Sequence, residues 1–163
     1  MVFGLSPGDI INTGEILQSL PMRGCLHRLS GDKVLIDDSY NSNPAALSAV
    51  LESLAKISSS RHVAVLGDML ELGPEEGRFH TEAGKLVHRL GWDFLITIGS
   101  LGHQMAEGAI KAGMDRTKVL SYKDVDSLGR ELGRLFRPGD LILVKGSRGI
   151  QMEKMVSLLI KNL

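Results

Sequence analysis

The feature that most constrains the fold is the stretch of residues 34–44, where an apolar run stops abruptly in polar side chains and a proline. The apolar part can be buried, whereas the two carboxylates, phenol and two amides that follow are costly to bury unless they are paired or bind a ligand. Pro44 suits the first turn of a helix, with Asn43 as its cap. The stretch is therefore typical of a strand that delivers polar groups to the edge of a sheet and then enters a helix.

The rest of the chain alternates short apolar runs with amphipathic segments, which predicts a mostly parallel sheet covered by helices. Only three residues separate the first two strands, so they must form a hairpin and make one edge antiparallel. The predicted fold class is α/β, a three-layer Rossmann-like domain of about six strands with one antiparallel edge strand and helices on both faces. Strands are expected near residues 25–29, 33–37, 62–66, 93–98, 117–120 and 140–144, and helices over about 44–58, 75–90, 102–112, 124–136 and 150–162.

Apolar residues at helical spacing identify the faces expected to be buried. They are Leu47, Val50, Leu51 and Leu54 in the first helix and Met152, Met155, Val156 and Leu159 in the last. The methionines are therefore expected in the core rather than at a cofactor. Gly91 and Gly113 mark helix ends, and Pro74 marks a helix start.

Composition agrees with one globular domain. A chain of 163 residues with 43% hydrophobic content can bury its own core. Zero formal net charge gives no electrostatic basis for binding nucleic acid or an anionic membrane. The lone cysteine, Cys25, cannot support an intramolecular disulfide, a zinc ribbon or a CxxC site, which fits a reducing cytoplasm. No apolar run approaches the length of about 18 residues that a membrane span needs, and the start of the chain lacks a signal-peptide pattern.

Three polar blocks, residues 37–44, 66–73 and 144–154, each begin at a predicted strand end and run into a helix. Ligands of open parallel sheets bind beyond the carboxyl ends of the strands, where such loops lie. The blocks are therefore expected to converge on one edge of the sheet although they are far apart in the sequence.

The second block offers carboxylates from Asp68 and Glu71, which would suit a protonated amine. The alternative is that Asp68 only bonds its own turn and that Glu75 and Glu76 only favour the positive end of a helix. His80 could face the cleft as a hydrogen-bond donor, or it could be a buried histidine with a structural partner.

The third block places Lys145, Gly146, Ser147, Arg148 and Gly149 between a strand and a helix. Its glycines would let successive amides form an anion-binding concavity, to which the lysine and arginine add charge. A phosphate or carboxylate is the natural ligand, although solvated lysine and arginine are also common in loops. The chain has neither a GxxxxGK[ST] loop nor a GxGxxG fingerprint, and its histidine spacing does not suggest a metal site.

The three blocks resemble the carboxy-terminal domain of the Mur ligases. They read Asp-Asp-Ser-Tyr-Asn-Ser-Asn-Pro, Leu-Gly-Asp-Met-Leu-Glu-Leu-Gly with His80 and Glu82 after it, and Val-Lys-Gly-Ser-Arg-Gly-Ile-Gln-Met-Glu-Lys, in the order of the family. The resemblance implies that residues 24–163 form that domain. It also implies that residues 1–23, with a short helix opened by Ser6 and Pro7, are the tail of the preceding central domain and the hinge.

The resemblance also implies an activity. Mur ligases use ATP to phosphorylate a carboxylate and then let an amine attack the acyl phosphate. The blocks are most similar to those of the member that adds D-alanyl-D-alanine to UDP-N-acetylmuramoyl-tripeptide in peptidoglycan precursor synthesis. ATP is then a substrate, Mg²⁺ is held mainly by the central domain, the amino-terminal and central domains are partners in the same polypeptide, and this chain alone is folded but inert.

Site residues follow from the same resemblance. In ATP binding, Asp38 would contact the ribose, and Tyr40, Asn41 and Asn43 would line the nucleotide side. The residues expected to bind the incoming dipeptide or an anion are Asp68, Lys145, Ser147 and Arg148. Further candidates for the cleft are Ser42, Glu71 and His80.

One departure from the family concerns the start of the hairpin. The family usually has Gly-Arg there, with the arginine reaching the ATP phosphates, whereas this chain reads Arg23-Gly24-Cys25. Either Arg23 or Arg28 supplies the charge, or the contact is absent. A nucleophilic role for Cys25 is not expected, because the reaction requires none.

Three alternatives remain open at the level of sequence. A sister Mur ligase is one, although the Asp-Asn-Pro-Arg motif of the ligase that adds diaminopimelate or lysine is absent. An enzyme similar to folylpolyglutamate synthase is another, although that enzyme lacks the third block. A non-catalytic ligand-binding α/β module is the third, and it fits the missing phosphate loop.

Overall fold

The computed structural model describes residues 21–129 and 132–163, in which six strands form one sheet with helices on both faces. The strands are β1 (Cys25–Leu29), β2 (Lys33–Asp38), β3 (Arg61–Gly67), β4 (Phe94–Ile98), β5 (Val119–Tyr122) and β6 (Asp140–Lys145). The helices are α1 (Pro44–Leu54), α2 (Glu76–Arg89), α3 (Gly102–Lys111), α4 (Val125–Gly129), α5 (Leu132–Leu135) and α6 (Glu153–Asn162). The short helix predicted at Ser6 and Pro7 lies outside the described residues.

The sheet has the strand order β1-β2-β6-β3-β4-β5. The hairpin of β1 and β2 is antiparallel, and every other neighbouring pair is parallel. This confirms the predicted α/β fold class and its single antiparallel edge. The last strand in the sequence, β6, therefore lies inside the sheet, between β2 and β3.

Two cores lie on the two faces of the sheet, because successive strand residues point to opposite sides. In β3, Ala64 and Leu66 pack with α1, α2 and α3, whereas Val63 and Val65 pack with α4, α5 and α6. The predicted helix faces are confirmed. Leu47, Leu51 and Leu54 of α1 are buried and Val50 is half-buried, while the buried set at the carboxyl end of the chain is Met152, Met155, Val156 and Leu159.

The path of the chain opens a crevice on each side of β6. The strands β2 and β3 lead into α1 and α2 on the first face, whereas β6 leads into α6 on the second. Neighbouring strands whose connections leave to opposite faces part their loops at the carboxyl edge, which is where ligands bind in open α/β sheets. The crevices lie at the β2–β6 and β6–β3 boundaries.

Element boundaries differ from the predictions by two residues or more in four elements. The first helix ends at Leu54 rather than near residue 58, because the buried face stops there and Ile57 is 47% exposed. The fifth strand begins two residues late, because Asp115 caps a 3-10 turn over Arg116–Lys118. A 3-10 turn over Arg148–Ile150 delays the last helix, and the predicted helix 124–136 is described as α4 and α5.

The glycines predicted to end helices have the backbone conformation that this role needs. Gly91 and Gly113 follow α2 and α3 with φ angles of 76° and 116°, a region that side chains with a Cβ rarely adopt. Pro74 lies in a 3-10 turn, Gly73–Glu75, that leads directly into α2.

Candidate functional site

Three loops meet at the carboxyl edge of the sheet, as the sequence predicted. Loop 1 is residues 39–43 after β2, loop 2 is residues 68–72 after β3, and loop 3 is residues 146–149 after β6. Lys145 pairs in register with Asp38 on one side and with Leu66 on the other. The ends of β2 and β3 therefore flank the end of β6, and loop 3 lies between the other two.

Two adjoining grooves open between these loops. The β1-side groove has a volume of about 410 Å³ and includes Arg23, Gly24, Asp38 and Lys145 in its lining. The β3-side groove has a volume of about 440 Å³ and includes Leu70, Glu71, Ser147 and Arg148. Both grooves share the walls formed by Tyr40, Asn41 and Asn43.

Lys145 and Asp38 form an ion pair at the floor of the β1-side groove. The Lys145 Nζ donates to Asp38 Oδ2 at 2.5 Å and to the Asn41 carbonyl at 2.9 Å. The side chain of Lys145 is only 4% exposed, whereas that of Asp38 is 22% exposed. The carboxylate is thus more accessible from the groove than the ammonium that neutralises it.

Ser147 connects all three loops, and it is buried. Its Oγ accepts a hydrogen bond from the Leu70 amide at 2.9 Å and donates to the Ser42 carbonyl at 3.2 Å. Its amide donates to the Asp68 carbonyl at 3.0 Å. Ser42 is buried as well, and its amide donates to Asn41 Oδ1. These two serines therefore fix the relative positions of the loops.

Asp68 bonds a neighbouring loop rather than its own turn. Its Oδ2 accepts from the Leu101 amide at 3.0 Å and from Ser100 Oγ at 3.2 Å, both in the segment after β4. The residue is 1% exposed. Gly99 makes this contact possible, because a Cβ there would lie 2.3 Å from the carboxyl carbon of Asp68. Gly99 directly follows β4, which ends at the same edge of the sheet as β3, and it is the sequence signal for the contact between Asp68 and the loop after β4. The predictions did not include this contact.

His80 does not face the cleft as a donor, so that expectation is wrong; the alternative of a buried structural histidine describes it. The residue is fully buried, its Nδ1 lies 2.7 Å from the Glu76 carbonyl, and its Nε2 accepts from the Met69 amide at 2.9 Å. Because a carbonyl can only accept, Nδ1 carries the proton and Nε2 is the acceptor. His80 thereby holds loop 2 against α2.

Tyr40 stands between the two grooves with an arginine at each. The guanidinium carbon of Arg23 lies 4.2 Å from the centroid of the Tyr40 ring, and that of Arg148 lies 5.5 Å from it. A guanidinium over a phenol ring is held by cation–π attraction while its N–H groups stay available. The Tyr40 amide also donates to the Met22 carbonyl at 3.0 Å, which ties the segment before β1 to loop 1.

Asn43 caps α1, as predicted. Its Oδ1 accepts from the Ala46 amide at 2.9 Å, and Pro44 occupies the first turn. Asn41 and Asn43 are exposed on the shared wall of the grooves. Glu71 is exposed in the β3-side groove with a φ angle of 62°, an unfavourable region for a residue with a Cβ.

The anion-binding concavity predicted for loop 3 cannot use the Ser147 amide. The Ser147 amide donates to Asp68, and the Ile150 amide donates to the Ser147 carbonyl, so both are already used inside the protein. Gly146 is needed for a different reason, close packing: a Cβ there would lie 2.6 Å from Met152 and 3.1 Å from the Gly67 backbone.

Within residues 21–129 and 132–163, no group of three or more histidine, cysteine, aspartate or glutamate side chains is arranged to hold a metal ion. In the same part of the chain, no helix is long and apolar enough to cross a membrane.

Comparison with known proteins identifies the family of this site. The family model for the glutamate ligase domain of Mur ligases matches residues 24–148. The UDP-N-acetylmuramoyl-tripeptide--D-alanyl-D-alanine ligase of Bacillus subtilis (strain 168) is 34% identical over 161 residues, which cover 98% of this chain and 35% of that protein.

Solved structures show the same fold. A crystal structure of MurF from Acinetobacter baumannii has a TM-score of 0.84 and 27% identity, covering 97% of this chain and 34% of that one. MurF ligase from Thermotoga maritima in complex with ADP has a TM-score of 0.73 and 23% identity, covering 90% of this chain and 32% of that one. The chain thus spans about a third of the length of the relatives it matches. The family model and the sequence identity agree, and the chain therefore belongs to the Mur ligase family, which it matches over the glutamate ligase domain.

Proposed function

We propose that this chain forms the carboxy-terminal domain of a cytoplasmic, ATP-dependent peptide ligase that adds D-alanyl-D-alanine to UDP-N-acetylmuramoyl-tripeptide in peptidoglycan precursor synthesis. The observation that carries the proposal is the 34% identity to the Bacillus subtilis ligase of that name, because it extends over 98% of this chain and includes all three loops. In this proposal residues 24–163 are the carboxy-terminal domain, and residues 1–23 are the tail of a central domain and the hinge.

The β1-side groove is assigned to ATP. Asp38 suits a ribose, because a partly exposed carboxylate can accept from two hydroxyl groups while Lys145 balances its charge. Tyr40, Asn41 and Asn43 would line the nucleotide beside it. The ADP complex of the Thermotoga maritima ligase, a protein of the same fold, agrees with a nucleotide as the ligand of this family.

Arg23, rather than Arg28, is proposed to supply the charge for the ATP phosphates. Arg23 is exposed in the β1-side groove and stacks on Tyr40. Arg28 pairs with Val34, four residues before the end of β2, and so lies away from the carboxyl edge. The departure from the Gly-Arg pattern of the family then moves the arginine by two positions without removing it from the groove.

The β3-side groove is assigned to D-alanyl-D-alanine, a small zwitterion. The Leu70 amide bonds Ser147, and the next residues along the two loops, Glu71 and Arg148, are both exposed in the groove. Arg148 can hold the dipeptide carboxylate in a bidentate pair, and Glu71 can hold the ammonium. Leu70 is 39% exposed and offers an apolar surface to the methyl groups.

The buried candidates are proposed to act on the dipeptide through the loops. Asp68, Ser147 and Ser42 are buried and hydrogen-bonded within the protein, as is His80 behind loop 2. They fix loops 2 and 3 in the arrangement that brings Glu71 and Arg148 into one groove.

The chemistry itself is assigned to the complete ligase. The described residues offer no phosphate loop and no metal cluster, so Mg²⁺ and the ATP phosphates would be held mainly by a central domain. Closing this chain over that domain would exclude water from the acyl phosphate and align the attacking amine. The chain on its own is then expected to bind without catalysing.

The test is phosphate release by the full-length enzyme with ATP, Mg²⁺ and UDP-linked tripeptide, with each amine offered separately. Release that depends on D-alanyl-D-alanine supports the proposal. Release with diaminopimelate, lysine or glutamate would indicate a sister ligase or an enzyme similar to folylpolyglutamate synthase. No release with any amine would favour a non-catalytic ligand-binding module.

A further inference from the structure

We propose that Lys145 is a positioning residue for the ATP half of the site, acting through Asp38 and the Asn41 carbonyl, and that it does not contact the dipeptide. The inference rests on the proposed function, because it concerns which of the two substrates the lysine serves. It separates Lys145 from Arg148, although both cations belong to one short motif.

The ammonium of Lys145 is already bonded within the protein. Nζ donates to Asp38 Oδ2 at 2.5 Å and to the Asn41 carbonyl at 2.9 Å, so two of its three N–H groups are committed to the β2 end and loop 1. A charge with 4% of its side chain exposed is retained only where it is paired, and here the pair is internal. A substrate carboxylate would have to compete with Asp38 for this charge.

Lys145 is the last residue of β6, an inner strand of the sheet. All six residues of this strand are buried between β2 and β3, so the side chain of Lys145 has no exposed face to move onto. It points to the β2 side, toward both of its partners. Arg148 lies beyond the strand, is exposed, and lines the β3-side groove, in which Lys145 has no part.

Lys145 therefore determines where the ribose carboxylate lies. Without the ammonium, Asp38 would lose its only ion-pair partner among the described residues, and loop 1 would lose the bond at the Asn41 carbonyl. The first change falls on the β1-side groove alone, and the second falls on the wall that the two grooves share. The Ser147 bonds that shape the β3-side groove do not involve Lys145.

The test compares Lys145→Met, Lys145→Arg and the surface control Lys56→Met in the full-length ligase. We expect Lys145→Met to raise the KM for ATP about tenfold or more and to change the KM for D-alanyl-D-alanine less than about twofold. Lys145→Arg should recover part of the ATP affinity, because it restores the charge. Lys56 is exposed in the segment after α1, and its variant should match the wild type in both constants.

A dipeptide that ends in a carboxamide separates contact from positioning. If Lys145 does not touch the dipeptide, Lys145→Met should discriminate between D-alanyl-D-alanine and its carboxamide as strongly as the wild type, whereas Arg148→Gln should lose that discrimination. Loss of discrimination in Lys145→Met, or an increase confined to the KM for the dipeptide, would overturn the inference.

Two further measurements apply if Lys145→Met does not fold or if the enzyme does not use D-alanyl-D-alanine. If Lys145→Met does not fold, the comparison uses Lys145→Arg and Asp38→Asn, and a KM for ATP that neither variant changes would overturn the inference. If the wild-type enzyme does not use D-alanyl-D-alanine, the proposed function fails. The coupling of Lys145 to Asp38 is then read separately, from the non-additivity of their substitutions in thermal unfolding.

Discussion

Single residues at the carboxyl edge divide into those that face a groove and those that hold a loop. Tyr40, Glu71 and Arg148 are exposed, whereas Lys145 and Ser147 are buried and bonded within the protein. The sequence motifs do not reveal this division, because neighbouring residues such as Ser147 and Arg148 belong to different groups. A substitution is therefore expected to act on substrate affinity directly in the first group and through loop position in the second.

Asp38 gives the sharpest prediction for a single residue. In Asp38→Asn the side chain keeps its size but loses the charge that would accept from a ribose, so ATP binding in the full-length ligase should weaken by about 1.5 to 3 kcal/mol. The KM for ATP measures this, with the KM for D-alanyl-D-alanine as the internal control. An ATP dependence equal to that of the wild type would remove Asp38 from the nucleotide site.

Asp115 gives a prediction for pH. Hydrogen bonds from the Thr117 amide and hydroxyl lower the pKa of Asp115 below its ordinary value of 3.8. A lowered pKa in the folded state adds stability that is complete above the unfolded pKa and is lost as pH falls through the folded one. Asp115→Asn should therefore destabilise the chain at neutral pH by an amount that shrinks below pH 3.8. Chemical denaturation across acid pH measures it, and a pH-independent difference would contradict the argument.

At the level of elements, α2 and α3 depend on glycine where they cross. A Cβ at Gly84 would lie 1.8 Å from the Met105 carbonyl oxygen, and one at Gly108 would lie 2.3 Å from the Thr81 carbonyl oxygen. Both obstacles are helix backbone, which cannot rotate away as a side chain can. The crossing therefore fixes the separation of the two helices.

Gly84→Ala should destabilise the chain by about 1 to 3 kcal/mol or more, as overpacked cores do. The matched control is Gly77→Ala in the same helix, where the obstacle is the flexible Gln104 side chain. That variant should be close to neutral or slightly stabilising, because alanine is the better helix former. Urea unfolding of both variants measures the difference, and equal effects would argue against a backbone collision at Gly84.

The elements were largely predictable from the sequence, and the orientation of the site residues was not. Apolar periodicity, the short hairpin and the helix-ending glycines predicted the order of strands and helices. Lys145 could not be oriented in the same way, because β6 is buried on both faces and has no alternation of polar and apolar residues. The partner of Asp68 is the Leu101 amide after β4, 33 residues along the chain, so the sequence signal for it is the distant Gly99 rather than a pattern near Asp68.

For the molecule as a whole, the strand order explains why three distant motifs form one site. Insertion of β6 between β2 and β3 places loop 3 beside loops 1 and 2, and the connections leaving to opposite faces open the two grooves. Grooves that share the wall of Tyr40, Asn41 and Asn43 would place a nucleotide and a small amine next to each other. This arrangement fits one half of a ligase site that closes on another domain.

We propose that this chain supplies the ATP and dipeptide half-sites of a ligase and is inert alone. The most direct measurement is mass spectrometry of the UDP-linked product after full-length enzyme, or the isolated chain, is incubated with ATP, Mg²⁺, UDP-linked tripeptide and D-alanyl-D-alanine. We expect tripeptide extended by both alanines with the full-length enzyme, and neither product nor phosphate release with the isolated chain. Absence of the extended product with full-length enzyme, or acyl-phosphate formation by the isolated chain, would contradict it.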